Sequence, residues 1–385
     1  MLLIGVLFFV VWFVFIVRGL PGLLKITQLL PSSSRELPHP EKEWPLVSVI
    51  VTACNEERGI RQALQSLLSL DYPHYEIIAI NDRSTDRTGD ILASLAKQDP
   101  RILAVHIDEL PAGWLGKNHA LFHGACTAKG EWILFTDADV VFHPSALTIA
   151  MSHALKKQLD HLALAPRMIS HFFWLRGFIY FFLFNLLLVF RPQNAKNPKS
   201  DAHMGVGAFN LIKSSTYKDI GTHQVIRNRP DDDLKLGELV KRKGFAQDFG
   251  IAEELLQVEW YQTIPEMIRG LEKNTMAPFE YQPVRLGLSL IPFAFMYFLP
   301  FVGPFATDGW TRAMYIVMFL LCLFYFCLYD RFSLMSIVYF LLSPILASLY
   351  IFTLVRAAYL TVRRGGIVWR GTLYPLKMLQ KKYPV

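Results

Sequence analysis

Long apolar runs alternate with polar stretches along this chain, and the first run lies at its beginning. Residues 2–17 contain no charged side chain, and the first basic residues, Arg18 and Lys25, follow them. A cleaved signal peptide has basic residues before its apolar core and small residues after it. The reversed order predicts that residues 1–20 form an uncleaved anchor whose C-terminal side stays in the cytoplasm.

Three more apolar runs lie near the end of the chain, at about 286–305, 313–329 and 333–355. Each approaches the ~20 residues that a helix needs to cross the hydrocarbon core, so a membrane region is predicted over 285–358. Three crossings after a cytoplasmic domain would place the basic tail, 359–385, outside, whereas Lys and Arg prefer the cytoplasmic face. We therefore expect either that one run lies in the interface or as a hairpin, with the proline-rich first run as the candidate, or that the tail is an exception to this preference.

A fifth apolar run, 172–190, falls within the water-facing part of the chain and is interrupted by Arg176 and Asn185. A helix that crossed the membrane here would put the two halves of that part on opposite sides. We therefore favour an interfacial amphipathic helix on the bilayer surface over a membrane span.

The polar part of the chain begins with a stretch rich in Pro, Ser and charge, 31–46, which predicts a linker. Buried-strand patterns then alternate with helical spacings. The predicted strands are 47–53, 76–82, 102–107 and 132–139, and the predicted helices are 56–69, 88–98 and 119–130. This alternation predicts an α/β domain with a mostly parallel sheet, which we place at 46–280.

Composition agrees with a protein that is part membrane and part water-facing. Hydrophobic residues make up 52% and charged residues 18% of the 385 residues, and 29 Phe exclude a disordered chain. Four cysteines without a CxxC pair exclude a disulfide scaffold and a zinc site. The net charge of +7 does not indicate a nucleic-acid partner, because the basic residues cluster beside apolar segments.

Polar side chains follow three of the four predicted strands. Asn55 and Glu57 follow the first strand, Asp82 ends the second, and Asp137 and Asp139 end the fourth. Ligands bind at the carboxyl ends of the strands in such sheets. An Asp-x-Asp pair there predicts a Mg²⁺ or Mn²⁺ site that a substrate diphosphate completes. The chain has neither a Walker A sequence nor a GxGxxG after its first strand, which disfavours an ATPase and a dinucleotide dehydrogenase.

Five segments, in this order and flanked by membrane segments, resemble family 2 glycosyltransferases of the GT-A fold: VSVIVTACNEE, AINDRSTDRT, GWLGKNHAL, FTDADV and RPDDDLKLGELVKRKGF. The membrane-anchored, non-processive ceramide glucosyltransferase, hopanoid-biosynthesis and carotenoid-ester types are the most similar. The resemblance implies an inverting, metal-dependent enzyme that moves a sugar from a nucleotide-diphosphate donor, expected to be a UDP-sugar, to a membrane lipid. It also implies a multi-pass protein of the cell (inner) membrane with a cytoplasmic catalytic domain.

The resemblance assigns roles to individual positions. The donor-binding positions that it implies are Ala53, Asn55, Glu57, Asp82, Lys117 and Asp137, with Asp82 on the nucleobase. Asp137 and Asp139 correspond to the metal-binding pair, and Asp139 is favoured as the direct ligand. Asp233, eleven residues before Gly244, corresponds to the general base.

The acidic run Asp231-Asp232-Asp233 also has a physical interpretation. Inverting transfer needs one carboxylate to take the proton of the acceptor hydroxyl, and repulsion among three acids raises the pKa of one of them, as a base requires. The alternative is a helix N-cap that opens a predicted helix over 234–243, and both roles can coexist. We favour Asp233 over Asp232 as the base.

Gly205 and Gly207 precede this acidic run, and paired glycines let the backbone approach a ligand closely. We interpret them as the floor under the sugar or the acceptor, with a plain tight turn as the alternative.

The chain departs from the family where polysaccharide synthases carry Gln/Arg-x-x-Arg-Trp. Arg269 keeps the first position and the Arg-Trp pair is missing, which argues against a processive polysaccharide synthase. Lys273 and Arg269 are candidates for the cation at the leaving group, with a solvated helix Lys as the alternative for Lys273. A catalytically inactive membrane scaffold is disfavoured, because Asp139 and the acidic run are retained.

Overall fold

A computed structural model describes residues 2–31, 44–329 and 333–380. Most of the predicted linker and the last five residues of the predicted tail lie outside the described residues. The chain divides into two compact units. The α/β unit consists of 26–169, 192–260 and 370–385, and the helical unit consists of 1–25, 170–191 and 261–369.

The strands are numbered in chain order. They are β1 (Thr27–Gln28), β2 (Val47–Ala53), β3 (Tyr75–Asp82), β4 (Ile102–Ile107), β5 (Trp132–Asp137), β6 (Val140–Phe142), β7 (His161–Ala165), β8 (Arg167–Met168), β9 (Asn210–Lys213), β10 (Gln247–Ile251), β11 (Leu256–Val258), β12 (Gly366–Trp369) and β13 (Thr372–Pro375).

The α-helices are numbered in the same way. They are α1 (Leu2–Leu24), α2 (Ile60–Leu68), α3 (Thr88–Gln98), α4 (Gly116–Thr127), α5 (Ala146–Lys156), α6 (Phe173–Phe190), α7 (Ser214–Asp219), α8 (Thr222–Val225), α9 (Asp232–Arg242), α10 (Ile264–Leu271), α11 (Pro283–Ala306), α12 (Gly309–Tyr329), α13 (Leu334–Leu341), α14 (Ser343–Arg364) and α15 (Leu376–Leu379).

The α/β unit is built on an eight-stranded sheet with the order β1-β10-β7-β9-β5-β2-β3-β4. Within this sheet β9 pairs antiparallel with β5 and β7, and the other pairings are parallel. All seven residues of β2 are buried, because helices cover both faces of the sheet and leave no solvent face for polar alternation. Val49 and Ile50 accordingly belong to separate apolar clusters.

The α/β unit and the predicted domain, 46–280, have different bounds. The unit is assembled from three stretches of chain, excludes 170–191 and 261–280, and includes the chain from Arg370 onward. The described part of the predicted basic tail, 359–380, is structured, because α14 continues to Arg364 and two strands and a short helix follow it.

Among the residues that the structure describes, five helices are long and apolar enough to cross a membrane. They lie at Leu2–Leu20, Phe173–Asn194, Pro283–Ala306, Gly309–Tyr329 and Ser343–Arg364. The proline-rich run, expected to be the irregular one, forms the continuous helix α11 of 24 residues, about 36 Å long.

The run predicted at 333–355 is instead two helices, α13 and α14, which meet at Leu342. Pro344 explains the break, because a proline is tolerated in the first turn of a helix but removes a hydrogen bond from a helix interior.

The predicted amphipathic segment, 172–190, corresponds to the helix α6. α6 buries side chains around its circumference, including Leu175, Phe178, Phe181 and Phe184. Tyr180 donates a hydrogen bond to the carbonyl of Phe326 in α12 at 2.6 Å. A helix that is apolar all round belongs in the interior of a bundle rather than on its surface.

Side-chain contacts give the directions of α1, α11 and α12 relative to one another. In α1, Gly5 faces Tyr315 of α12 and Gly19 faces Tyr325, so α1 and α12 run parallel. Phe301 of α11 packs on Phe319 of α12 with ring centroids 5.2 Å apart, and α11 and α12 form an antiparallel pair.

Candidate active site

The loops after β2 and β3 form one connected rim. Asn55, with a positive φ of 58°, accepts hydrogen bonds from the backbone N–H of Thr85 at 2.8 Å and from its hydroxyl at 3.3 Å. Glu57 accepts from the N–H of Arg87 at 3.2 Å. The structure thus brings together Asn55 and Glu57, two residues predicted to bind the nucleotide-sugar donor. Their side chains position the two loops relative to each other.

Ala53 and Asp82 lie behind this rim. Ala53 is buried at the end of β2, and Asp82 is 4% exposed. Both carboxylate oxygens of Asp82 accept hydrogen bonds from Arg83, at 2.7 and 3.1 Å. A side chain at Gly116 would begin 2.5 Å from Asp82 Oδ2, so the start of α4 approaches this ion pair closely.

A polar cavity lies where β5, α4 and α9 meet. Lys117 Nζ is 2.8 Å from Asp137 Oδ1 and 3.8 Å from Asp232 Oδ2, and Asp233 lines the same cavity. Burial alone would lower the pKa of Lys117, but the carboxylates of Asp137, Asp232 and Asp233 outweigh it and raise that pKa. The charged form of Lys117 is therefore stabilised beside Asp137 and Asp232, and Asp233 lines the same cavity.

Gly205 and Gly207 connect the two acidic edges of the cavity. A side chain at Gly207 would begin 2.5 Å from Asp137 Oδ2, and one at Gly205 would collide with the backbone carbonyl of Asp233. The Gly207 N–H donates to Asp233 Oδ2 at 2.8 Å, and the Gly207 carbonyl accepts from the Asp137 N–H at 3.0 Å. Close approach, rather than a positive φ, is therefore the reason for glycine here.

The three consecutive acids have separate surroundings. Asp231 precedes α9, but its carboxylate binds the guanidinium of Arg229 at 2.8 Å and makes no capping bond to the helix. Asp232, 3% exposed, is the first residue of α9 and lies beside Lys117. Asp233 accepts from the N–H groups of Gly207 and Leu234, each at 2.8 Å.

The pKa of Asp233 is raised, as the acidic run predicted, but the main cause differs. Burial raises this pKa most, Lys117 opposes the rise, and the charges of Asp137 and Asp231 add to it. A carboxyl with a raised pKa is a stronger proton acceptor than an ordinary aspartate.

Asp139 lies in the turn between β5 and β6, outside the cavity lining. Asp139 as a whole residue is exposed, but crowding of its carboxyl by surrounding protein, together with the charges of Asp137 and Glu56, raises its pKa to about 7. Among the described residues no group of three His, Cys, Asp or Glu side chains converges to hold a metal. The carboxylates of Asp137 and Asp139 suit Mg²⁺ or Mn²⁺, because these ions take one or two carboxylates plus substrate phosphates. A bound cation would also relieve the repulsion between the negative charges at Asp139.

The two candidate cations from the family comparison, Arg269 and Lys273, belong to the helical unit. Arg269 Nε donates to the carbonyl of Pro265 at 3.2 Å, and Lys273 Nζ lies 4.2 Å from the ring centre of Trp369. Their role at a leaving group stays a prediction.

Sequence reasoning missed Arg370. Its guanidinium lies 2.5 Å from Glu56 Oε1, on the rim of the candidate site. The dipeptide Arg370-Gly371 between two short apolar stretches is a turn signal that could have indicated a folded segment here.

Comparison with known proteins agrees with this geometry. A family model described as Glycosyl transferase family 2 matches residues 48–221. A β-monoglucosyldiacylglycerol synthase from Nostoc sp. is 39% identical over 97 residues, 25% of this chain and 20% of that protein. A poly-β-1,6-N-acetyl-D-glucosamine synthase from Staphylococcus epidermidis is 29% identical over 234 residues, 59% of this chain and 52% of that protein. The chain thus spans about half or less of the length of these relatives.

Among solved structures, a mannosyltransferase from Pyrobaculum calidifontis (PcManGT) in complex with GDP-Man and Mn²⁺ matches with a TM-score of 0.54 and 16% identity. The match covers 93% of this chain and 97% of that one, which establishes the GT-A fold. Residues 48–221 are thus similar to glycosyltransferases of family 2, and the chain has a mostly parallel α/β sheet and several membrane-capable helices.

Proposed function

We propose that this protein is an inverting, metal-dependent glycosyltransferase that moves a sugar from a nucleotide-diphosphate donor to a membrane lipid. The observation that carries the proposal is the group of Asp137, Asp232 and Asp233 around Lys117, at the carboxyl ends of the sheet. The solved mannosyltransferase of the same fold binds GDP-Man and Mn²⁺, which supports a nucleotide sugar as the donor class.

In this mechanism Asp233 takes the proton of the acceptor hydroxyl. Its two backbone hydrogen bonds fix the direction of the carboxylate, and its raised pKa suits proton transfer. Lys117 and the N–H of Gly207 orient Asp137 and Asp233 on either side of the cavity. The acceptor oxygen attacks the sugar C1 from the face opposite the leaving diphosphate, and this single displacement inverts the anomeric configuration.

Asp139, with Asp137 beside it, would hold the divalent cation. When bound, that cation neutralises charge on the diphosphate leaving group. Asp137 keeps its ion pair with Lys117, which leaves Asp139 as the better direct ligand, in agreement with the sequence-based preference.

A lipid acceptor is favoured because the helical unit is continuous in sequence with the catalytic domain. α6 is inserted into the domain's sequence, and both of its ends continue into the α/β unit. A single crossing by α6 would therefore divide that unit between two sides of the membrane. Exposed apolar side chains of the helical unit, such as those of Val284, Leu288 and Leu320, suit an apolar acceptor.

The contacts of α13 and α14 support a membrane topology in which the basic tail lies on the cytoplasmic side. Phe340 at the end of α13 packs on Phe319, at the middle of α12, with ring centroids 5.0 Å apart. α14 then returns, so that Arg356 and Arg364 bind Glu272, which follows α10, at 2.8 and 2.6 Å. We interpret α13 and α14 as a re-entrant hairpin. With α1, α11 and α12 as the crossings, the C-terminus lies on the cytoplasmic side, as its basic residues require.

A processive polysaccharide synthase is the second candidate, because the S. epidermidis relative that carries that name matches 59% of this chain. The missing Arg-Trp pair after Arg269 argues against it.

The decisive experiment compares lipid extracts of cells with and without the chain by mass spectrometry, and incubates purified protein in lipid vesicles with radiolabelled nucleotide sugars. A lipid that gains one hexose mass, made only when Asp139 and Asp233 are intact, is expected. A water-insoluble polymer instead would establish the second candidate. Transfer that persists in both variants would overturn the mechanism.

A further inference from the structure

The segment that follows the helical unit is fixed against the candidate site. The N–H of Gly116 donates to the hydroxyl of Tyr374 at 3.3 Å, and Gly116 directly precedes Lys117 in α4. Asn228 Nδ2 donates to the carbonyl of Met378 at 2.6 Å, in the stretch that leads to the acidic run. The residues from 370 to 380 therefore contact two of the chain stretches that form the site.

Arg370 is the cation that this segment brings to the rim. Its side chain is 36% exposed and pairs with Glu56, the residue between Asn55 and Glu57. A side chain at Gly59, three residues after Glu56, would begin 3.6 Å from the Cα of Asp139, so the loop that carries Glu56 lies against the Asp-x-Asp pair. The guanidinium of Arg370 thus lies on the part of the rim that borders the Asp-x-Asp pair, where a diphosphate would complete a metal site.

The backbone at Arg370 gives a second, independent indication. Arg370 has a φ of +48° and Gly371 a φ of +78°. Two successive positive φ angles favour Asn, Asp or Gly at the first position, because an ordinary side chain is disfavoured in the left-handed region. A turn that carries Arg there keeps a costly residue, and such strain is concentrated at functional sites.

We propose that Arg370 binds the diphosphate of the nucleotide donor and neutralises the charge that develops on it when the sugar leaves. This inference rests on the proposed function, because it assigns a residue to the same donor site. During transfer the bond from the sugar C1 to the diphosphate oxygen breaks and that oxygen takes the electron pair. The acceptor oxygen bonds to C1, and its proton passes to Asp233. The planar fork of an arginine matches phosphate oxygens, and the donor diphosphate would replace the Glu56 carboxylate as its partner.

The test measures the binding of UDP and UMP, and of GDP and GMP, to full-length protein in detergent with Mn²⁺. The variants are Arg370→Asn, which suits the turn, Glu56→Gln, and Lys377→Ala as an exposed cation of the same segment. Loss of charge-assisted hydrogen bonds predicts that Arg370→Asn binds the diphosphate about 10- to 100-fold more weakly and the monophosphate unchanged. Glu56→Gln should bind the diphosphate as tightly as wild type or more tightly, because Arg370 loses its competing carboxylate. Lys377→Ala should behave as wild type.

Other results would overturn the inference. Wild-type diphosphate affinity in Arg370→Asn would exclude the contact, and an equal loss for diphosphate and monophosphate would indicate a structural role. Diphosphate binding that is weakened equally in Glu56→Gln and in Arg370→Asn would mean that the ion pair only stabilises the local structure. Wild-type protein that binds none of the four nucleotides would contradict the proposed function itself and the inference with it.

Discussion

Replacing Asp233 by Asn tests the chemistry of the site most directly. The carboxylate accepts one backbone N–H on each oxygen, from Gly207 and from Leu234, both at 2.8 Å. An amide has the same shape but one acceptor oxygen, so the variant leaves one of these two N–H groups without its partner. That loss costs about 1–3 kcal/mol, and removal of a buried charge offsets part of it. Asp233→Asn should therefore fold.

The effect on catalysis should be much larger than the effect on stability. A general base contributes about 10²–10⁴-fold to the rate, so turnover at saturating donor and acceptor should fall by at least about 100-fold. The affinity for the donor nucleotide, measured without acceptor, should change little, because the base acts on the acceptor in the transition state.

Asp232→Asn is the matched control, since Asp232 is adjacent in sequence and lies near the same lysine. Turnover lost in Asp232→Asn and retained in Asp233→Asn would assign the base to Asp232. Near-normal turnover in both variants would refute base catalysis by this acidic run.

Three further outcomes are expected. Asp139→Ala should abolish transfer without preventing membrane insertion, and full wild-type activity in excess chelator would contradict metal dependence. In a Cys126→Ser background, the variants Lys199→Cys and Lys377→Cys should react with a membrane-impermeant thiol reagent only after the membrane is permeabilised. Labelling of Lys377→Cys in intact cells would mean that α14 crosses the membrane. Burial lowers the pKa of His161 from 6.5 to about 4, so its folded form binds fewer protons than the unfolded chain between these values. Stability should therefore fall as pH drops through that window, and a melting curve of His161→Gln with the same pH dependence would disprove this.

Several features follow from the sequence because they depend on local patterns. Continuous β-branched runs with intervening helical spacings are a property of short windows, and the strand bounds at 47–53 and 102–107 agree with β2 and β4. Polar residues at strand ends are predictable as one rim, because parallel strands bring their carboxyl ends to one edge. Asn55 and Glu57 meet the next loop for this reason.

Other features depend on contacts between distant parts of the chain. The sequence of an apolar run such as 172–190 does not show whether other helices surround it. Its two polar residues, Arg176 and Asn185, suggested a helix on the bilayer surface, whereas α6 packs against other helices. Pro344 marks a helix start or a kink depending on what packs around it, so one predicted span became α13 and α14.

The sequence by itself determined the family resemblance, the α/β alternation and the acids at the strand ends, because each is encoded within a few residues. Tertiary structure decided which of those acids pairs with Lys117, why Gly205 and Gly207 have no side chain, and that Arg370 returns to the rim beside Glu56. Glu56 and Arg370 are 314 positions apart. No local pattern relates residues at such a separation, and folding alone brings their opposite charges together.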